Sequence, residues 1–182
     1  PSFTLLGGRV LRLPFIPHTS LRHEVAHCWW GNGVLVNYAQ GNWCEGLTTY
    51  VADHLAKEEQ SGAAARAYRM RVLRDYALLV GEDPPMSLSR FISRTSPSSR
   101  AIGYGKAMFV FHMIRQRIGD ESFFAALADV YQRHRFTRAS WDDFRLAFTA
   151  ASDWPGYEAE AFFTQWIERT GAPELRVKDA SI

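Results

Sequence analysis

The sequence predicts a mainly α-helical domain. Helical spacing of apolar residues recurs from about residue 18 onward, and helix caps and stop residues punctuate it. Strand-like character is confined to residues 1–17. At 182 residues the chain is long enough to bury a dry core. With no repeat and no second domain visible, we predict one helical-bundle domain over residues 1–182, with a short strand region at the N-terminus that could serve as an edge strand.

Three helices are predicted before residue 83. The first covers residues 19–32, begins at a Thr or Ser cap and ends at two glycines. A loop over residues 33–42, with room for a short extended piece, leads to the second helix, which runs from residues 42–44 to about residue 60. The third covers residues 63–80.

The second half of the chain begins with residues 83–100, which are rich in Pro and Ser and predict a long loop. Loops of this length are often functional. Beyond it, helices are predicted at residues 106–118, 121–134 and 141–148, and from about Pro155 to Gly171. Ser140 should cap the third of these, with Asp143 completing a capping box.

Composition and charge restrict the partners. The chain is 47% hydrophobic and 22% charged, with a formal net charge of +2 and no dense basic stripe, so nucleic acid is not an expected partner. No apolar run is long enough to span a bilayer, and we expect a soluble protein without a transmembrane segment. The chain begins at Pro1 rather than at methionine, which is typical of a processed form or a piece of a longer protein. From this start we favour a secreted or cell-envelope location.

The first predicted helix carries two histidines four residues apart in the stretch HEVAH. On a helix, residues i and i+4 share a face, so His23 and His27 present both imidazoles to a common point. Glu24 points about 100° away, beside the position of a metal-bound water. Zinc lowers the pKa of such a water toward ~7, and a carboxylate can accept its proton. The alternative is a helix with two ordinarily hydrogen-bonded histidines, because HExxH is a short pattern.

A third ligand must come from another segment, because Gly33 stands where the longer HExxHxxGxxH pattern has a histidine. The candidates are Glu45, Asp53 and the other histidines. Glu45 fits best, since it opens the second helix after a loop of ordinary length. With His23 and His27 it would form a zinc site with one open position, as in catalytic rather than structural sites. We predict one zinc ion per chain at this site.

The side chains around these ligands leave alternatives open. Asp53 and His54 lie about two turns beyond Glu45 and either support the ligands from behind or lie on the surface. Thr48 and Thr49 could orient a ligating histidine.

The two cysteines are interpreted as structural, and so are the arginines of the third helix. Cys28 and Cys44 are too few for a disulfide framework, so we expect buried thiols in preference to a disulfide. Arg66, Arg69 and Arg74 are expected on a solvated face.

The stretches HEVAHCWWGN and NWCEGLTTY resemble the gluzincin zinc metallopeptidases of the aminopeptidase N and leukotriene hydrolase family. That family combines HExxH, an aromatic-Gly-Asn ending and a glutamate in an Asn-Glu-Gly setting. The resemblance implies a thermolysin-like catalytic domain in which His23, His27 and Glu45 bind zinc and Glu24 is the general base. The segment IGYGK is similar to the family's Tyr-x-Lys-Gly segment, which implies that Tyr104 hydrogen-bonds the oxyanion of the tetrahedral intermediate.

The resemblance covers about residues 1–150 and has three departures. The spacing from His27 to Glu45 is 17 residues where the family usually has 18, and Cys44 replaces an asparagine. The family's Gly-x-Met-Glu-Asn segment, which holds a substrate's free amine, has no counterpart, and residues 1–22 contain no Asp or Glu. The resemblance also implies an N-terminal domain outside this chain.

We therefore expect a zinc-dependent metallopeptidase that cleaves peptide substrates and that, as this chain alone, tolerates a blocked amino terminus. Two alternatives stay open. One is hydrolysis of another bond, such as an epoxide, in the same site. The other is a zinc-bearing scaffold that binds peptides without cleaving them, against which the presence of both Glu24 and Tyr104 argues.

Overall fold

Helices account for nearly all regular structure in the computed structural model, which describes residues 4, 7–9, 12–13, 16, 20–81 and 86–172. The α-helices are α1 (Ser20–Ala26), α2 (Cys44–Thr48), α3 (Leu55–Gln60), α4 (Gly62–Leu79), α5 (Pro97–Arg100), α6 (Ala107–Ile118), α7 (Asp120–His134), α8 (Trp141–Ala150) and α9 (Gly156–Phe163). Two short strands, β1 (Leu35–Val36) and β2 (Arg138–Ala139), pair in parallel. The mainly α fold class is confirmed.

Among the described residues, three π-helical segments interrupt or extend these helices. They cover Thr49–His54, Ala101–Lys106 and Thr164–Glu168. The first joins α2 to α3 and the second joins α5 to α6, so residues 44–60 and 97–118 each form one continuous helix. Wide π turns of this kind are frequent at functional sites. Both helices carry residues that the sequence singles out.

The first helix ends at Ala26, earlier than the predicted residue 32. Gly31 has φ 111°, a left-handed conformation that no regular helix contains. A Cβ on Gly33 would lie 2.7 Å from the carbonyl oxygen of Trp29, so the chain folds tightly back on itself here. His27 nevertheless keeps the spacing of the motif, because its backbone N–H donates to the carbonyl of His23 at 3.3 Å.

The segment predicted as a long loop is partly ordered into short helices. Residues 82–85 lie outside the described residues, and a 3₁₀ turn follows at Leu88–Arg90. Helix α5 then begins with a capping box in which Ser96 and Ser99 satisfy each other's backbone N–H groups, with Pro97 at the first helical position. Proline and serine, which indicate a loop in sequence, here start a helix.

The central core is aromatic. Trp43, Phe111 and Phe144 are completely buried, and the indole N–H of Trp43 donates to the carbonyl of Ala139 at 2.7 Å. This bond ties the start of α2 to β2. The helix α2 also approaches α6 closely, since a Cβ on Gly46 would lie 2.2 Å from that of Ala107.

Other predicted features have mixed outcomes. Ser140 and Asp143 form the expected capping box of α8. Arg66 and Arg74 are exposed, but Arg69 is half-buried and lies 2.9 Å from His54 Nε2, because α4 packs against α3 on this side.

Both cysteines have free thiols, buried at Cys44 and half-buried at Cys28. The strand predicted within residues 1–17 falls mostly outside the described residues and stays a prediction. Within the part of the chain that the structure describes, none of the helices has the length and apolarity to cross a bilayer.

Candidate metal centre

Three of the predicted site residues converge at one point between α1 and α2. One side-chain ligand atom from each of His23, His27 and Glu45 lies within 4.8 Å of the other two. Oε2 of Glu45 is 3.4 Å from Nε2 of His23 and 3.4 Å from Nε2 of His27. The two imidazole rings are 4.9 Å apart and nearly perpendicular, so both Nε2 atoms face the same carboxylate.

The His27 ring is fixed from behind by the turn that ends α1. Its Nδ1 is 2.9 Å from the carbonyl oxygen of Trp30, so the Nδ1–H tautomer donates there and leaves Nε2 free as a lone pair. The thiol of Cys44 and the hydroxyl of Thr48 also lie near Nδ1, at 3.3 and 3.4 Å. A Cβ on Gly31 would lie 2.7 Å from the Cys44 sulfur, so this glycine allows the turn to approach α2.

The His23 ring is held in the same manner by the π-helical segment Thr49–His54. Its Nδ1 lies 3.2 Å from Oδ2 of Asp53, which favours a proton on Nδ1 and a lone pair on Nε2. Of the alternatives left open by the sequence, Asp53 therefore supports a histidine rather than facing solvent alone. Of the two threonines, Thr48 reaches a histidine, whereas the buried Thr49 hydroxyl lacks a hydrogen-bond partner within the described structure.

The charges of this cluster favour a cation. Burial by itself lowers the pKa of His23, but hydrogen bonds to Asp53 and Glu45 outweigh it and raise that pKa to about 9. Burial likewise lowers the pKa of His27, and Cys44 and Glu45 more than offset it. Although burial raises the pKa of Glu45, the two histidines lower it to about 2. The carboxylate thus stabilises positive charge between the imidazoles, where a metal ion can replace the protons.

Glu24 and Tyr104 lie in the cavity that opens from this cluster. The cavity has a volume of about 920 Å³ and is lined by the three converging residues together with Glu24 and Tyr104. The Tyr104 ring stacks on His23 with 6.2 Å between centroids and an interplanar angle of 12°. Burial and the nearby Glu45 raise the pKa of Tyr104, so its hydroxyl keeps its proton at neutral pH and can donate a hydrogen bond.

The donor set suits zinc. Two neutral imidazoles and one carboxylate with an open side toward a cavity match a catalytic zinc site, whereas a structural site is closed by four protein ligands. The half-buried Glu24 lies outside the converging set but lines the same cavity. The side chains present therefore fit a zinc ion at this point.

Sequence reasoning did not identify the basic side chains of the cavity. Lys57, Arg71, Arg94 and Arg100 line it together with the metal-binding candidates. They come from α3, α4 and the segment predicted as a loop, so no local motif joins them. The only available indication was the density of arginines in residues 83–100.

A second histidine pair was also not predicted. His54 is fully buried, its ring lies 5.1 Å from that of His112, and its Nε2 lies 2.9 Å from Nη1 of Arg69. His112 Nδ1 lies 3.4 Å from the hydroxyl of Tyr50, to which Arg115 also donates. These residues are up to 65 positions apart in the sequence, so their contacts arise only on folding.

Comparisons with known proteins agree with this site. The chain is 27% identical to aminopeptidase N of Escherichia coli (strain K12), over 86% of this chain and 18% of that protein. It is 27% identical to glutamyl aminopeptidase of Sus scrofa, over 88% of this chain and 17% of that protein. The chain thus spans about a fifth of the length of these curated relatives.

Solved structures share the fold. A two-domain M1 zinc metallopeptidase mutant bound to L-tryptophan superposes with a TM-score of 0.64 at 25% identity, over 85% of this chain and 34% of that one. An M1 zinc metallopeptidase mutant from Deinococcus radiodurans, bound to a Tyr-Ser-Ala substrate, gives a TM-score of 0.62 at 24% identity, over 85% of this chain and 34% of that one.

A family model described as the peptidase family M1 domain matches residues 18–166, which include the candidate metal centre and Tyr104. The matched interval covers most of the 182 residues. The chain therefore belongs to peptidase family M1, a family of zinc metallopeptidases.

Proposed function

We propose that the chain forms the catalytic part of a zinc-dependent peptidase that hydrolyses peptide bonds and binds one zinc ion. The observation that carries this proposal is the convergence of His23, His27 and Glu45 within 4.8 Å at the edge of a large cavity. These three residues would hold the ion through two imidazole nitrogens and a carboxylate oxygen. When bound, zinc lowers the pKa of a coordinated water and polarises the substrate carbonyl.

Glu24 is the general base in this proposal. Its carboxylate lines the cavity beside the predicted ligands and is not one of the converging ligand groups. It accepts the proton of the attacking water and then delivers it to the leaving amine, as a carboxylate within hydrogen-bond reach can do. Asp53 holds the His23 ring in place through Nδ1 during this sequence.

Tyr104 stabilises the oxyanion. Its phenol lies over His23 and keeps its proton, so it can donate a hydrogen bond to the negative oxygen that develops when the carbonyl is attacked. A preorganised donor of this kind lowers the barrier because its dipole needs no reorientation during the reaction. The α5 to α6 helix fixes its position through the π segment Ala101–Lys106.

The test is the Glu24→Gln variant. It should bind zinc and fold like the wild type but lose turnover of a fluorogenic peptide by about a hundredfold to ten-thousandfold, because only the proton transfer is removed. Glu160→Gln is the matched control, since Glu160 is exposed on α9 and is absent from the cavity lining. Zinc content by elemental analysis and peptide cleavage are both measured. Wild-type turnover in Glu24→Gln would remove Glu24 as the base.

Peptide binding and hydrolysis of an epoxide, measured beside zinc content and peptide cleavage, separate the alternatives. A scaffold that binds peptides without cleaving them would show zinc and peptide binding but no turnover in the wild type. An enzyme for another bond, such as an epoxide, would leave peptides intact and hydrolyse that substrate with dependence on Glu24. The paired presence of Glu24 and Tyr104 in one cavity favours hydrolysis over simple binding.

A further inference from the structure

The cavity next to the candidate metal centre is lined by basic side chains as well as by carboxylates. Lys57, Arg71, Arg94 and Arg100 line it. Among the described residues that line the cavity, Asp75 is the one carboxylate beyond those of the metal-centre region, which are Glu24, Glu45 and Asp53. Because three of those carboxylates belong to the metal-centre region, the guanidinium groups are side chains of the lining that can attract an anion.

The three arginines lack the acidic partners that arginines have elsewhere in this molecule. Arg115 and Arg145, for example, each form ion pairs with carboxylates at 2.7 to 2.9 Å. Within the described residues, Arg71, Arg94 and Arg100 have no carboxylate within 4.0 Å. Their charges are thus available to a ligand that enters the cavity.

Arg71 is held in the cavity lining by Tyr68. The carbon at the centre of its guanidinium lies 4.9 Å from the centroid of the Tyr68 ring. The guanidinium also hydrogen-bonds the Tyr68 hydroxyl, and its remaining N–H groups can donate to a ligand. Those donors have the planar, forked geometry that matches a carboxylate.

Arg94 and Arg100 connect this group to the reacting centre. Arg100 lies one helical turn before Tyr104 in the continuous helix of residues 97–118. Burial raises the pKa of Tyr104, and Arg94 is the nearby positive charge that opposes this rise. A peptide whose carbonyl meets Tyr104 would therefore lie in the same cavity as these guanidinium groups.

We propose that Arg71, Arg94 and Arg100 form an anion subsite that binds a carboxylate of the substrate, so that the enzyme selects short or acidic peptides. This inference rests on the proposed peptidase function. The carboxylate belongs either to the C-terminus of a short peptide or to an Asp or Glu side chain near the cleaved bond. Bidentate pairing with arginine is the shared chemistry of both sources.

The experiment compares matched peptides on the zinc-loaded full chain. One pair differs only in a C-terminal carboxylate against a carboxamide, and a second pair differs only in Glu against Gln two residues beyond the cleaved bond. Wild type should prefer at least one acidic member by about tenfold to hundredfold in kcat/KM, the range of a charge-assisted hydrogen bond. The pair that shows the preference identifies which carboxylate is bound.

Arginine variants then locate the subsite. Arg94→Gln, Arg100→Gln and Arg71→Gln should each reduce the ratio of kcat/KM between acidic and neutral peptides, and the triple variant should bring it near one. Arg74→Gln is the matched control, because Arg74 is exposed on α4 outside the cavity lining and should leave the ratio unchanged. Equal cleavage of both members of each pair by wild type would overturn the proposal. So would a ratio that survives the triple variant.

A binding measurement keeps this inference separate from the proposed function. Calorimetry with zinc-loaded Glu24→Gln compares the affinities of the same acidic and neutral peptides without cleavage. If wild type cleaves no peptide but the acidic member binds more tightly and the triple arginine change removes that difference, the peptidase proposal fails while the anion subsite holds. Equal affinities would overturn the subsite.

Discussion

Two histidine pairs in this molecule have nearly the same internal geometry and opposite surroundings. The rings of His23 and His27 are 4.9 Å apart, and those of His54 and His112 are 5.1 Å apart. The first pair faces Glu45, with Asp53 behind it, whereas the second pair has Arg69 beside it. The spacing of two imidazoles is therefore not what distinguishes a metal site here.

The surrounding charges distinguish the two pairs. In the first pair burial lowers the pKa of both histidines, but Asp53 and Glu45 at His23, and Cys44 and Glu45 at His27, outweigh it and raise both pKa values. In the second pair burial, the neighbouring histidine and Arg69 lower the pKa of His54 to about 4, and burial and Arg69 lower that of His112. A cation is stabilised in the first environment and repelled in the second. The surroundings of the first pair thus suit a cation, whereas those of the second pair suit neutral imidazoles.

The neutral pair has a structural role. His54 Nε2 accepts a hydrogen bond from Arg69, which requires an unprotonated Nε2, and its Nδ1 is 3.7 Å from Oε2 of Glu58. Glu58 in turn pairs with Arg115 at 2.9 Å, which also binds Asp120. Glu58, Arg115 and Asp120 thus link α3, α6 and α7, and Arg69 links α4 to the buried His54.

Removing the carboxylate of the first pair should break the comparison most completely. Glu45→Ala leaves the two histidines without the carboxylate that they share. Loss of a residue that only supports a ligand costs about tenfold to hundredfold in metal affinity, and loss of the ligand Glu45 should lower zinc affinity by more than that. Competition with a chelator measures the affinity, and Glu160→Ala on the exposed surface of α9 is the control. Full, tight zinc binding in Glu45→Ala would show that another residue completes the site.

Tyr104→Phe should leave both histidine pairs intact and separate metal binding from turnover. We expect kcat to fall by about a hundredfold to a thousandfold with little change in KM, because one oxyanion donor is lost. Zinc content should not change, since Tyr104 is not among the converging ligand groups. An effect on KM alone would make Tyr104 a residue that binds substrate in its ground state. Tyr157→Phe, on the exposed surface of α9, is the control.

Asp53→Asn should make the charge around His23 and His27 more like the charge around His54 and His112. The amide keeps the size of the side chain but removes the charge that acts on His23 Nδ1, so zinc affinity should fall by about tenfold to hundredfold. Asp129→Asn, on α7 away from the cavity, provides the control. Unchanged affinity would mean that the 3.2 Å contact between Asp53 and His23 positions the ring without contributing to binding.

The smallest effect concerns the pH dependence of the second pair. The pKa of His54 lies at about 4 in the folded protein and near its ordinary value of 6.5 when unfolded. The unfolded chain therefore binds more protons below pH 6.5, so the stability that neutral His54 provides is complete above pH 6.5 and is lost as pH falls toward 4. Between pH 6.5 and 5.5 the loss should be about 1 kcal/mol.

Urea unfolding of the metal-free wild type and His54→Gln measures this effect. The difference between their unfolding free energies should shrink over this interval, because the variant lacks the titrating group. Comparing two metal-free proteins cancels the titration of His23 and His27, which is common to both. A difference that is constant with pH would show that His54 titrates normally in the folded state.

The parts of the site that sequence reasoning could predict are those encoded by short patterns. His23, Glu24 and His27 are fixed by helical spacing, and Glu45 by its position at the start of the next helix. The helix α1 was predicted to run to residue 32 but ends at Ala26, because the backbone N–H groups of Cys28 and Trp29 donate to carbonyls three residues back instead of four.

The parts that could not be predicted depend on contacts between distant segments. Asp53 lies 30 residues from His23, and both surface and supporting roles suited its sequence position. Arg69 looked solvated because its helix is rich in arginine, yet it packs onto His54. The basic lining of the cavity comes from three elements that meet only in the folded chain.

The π-helical segment Thr49–His54 also sets the angle, measured around the helix axis, between the carboxylates of Glu45 and Asp53. In a regular α-helix, positions eight residues apart differ in direction by about 80°. The wider turn of a π-helix takes up much of that angle, so Glu45 and Asp53 contact opposite nitrogens of the same His23 ring. A regular α-helix with the same number of residues would turn Asp53 by about 80° relative to Glu45 and so away from His23. The segment thus brings two acids that are eight residues apart in the sequence to one side of a helix.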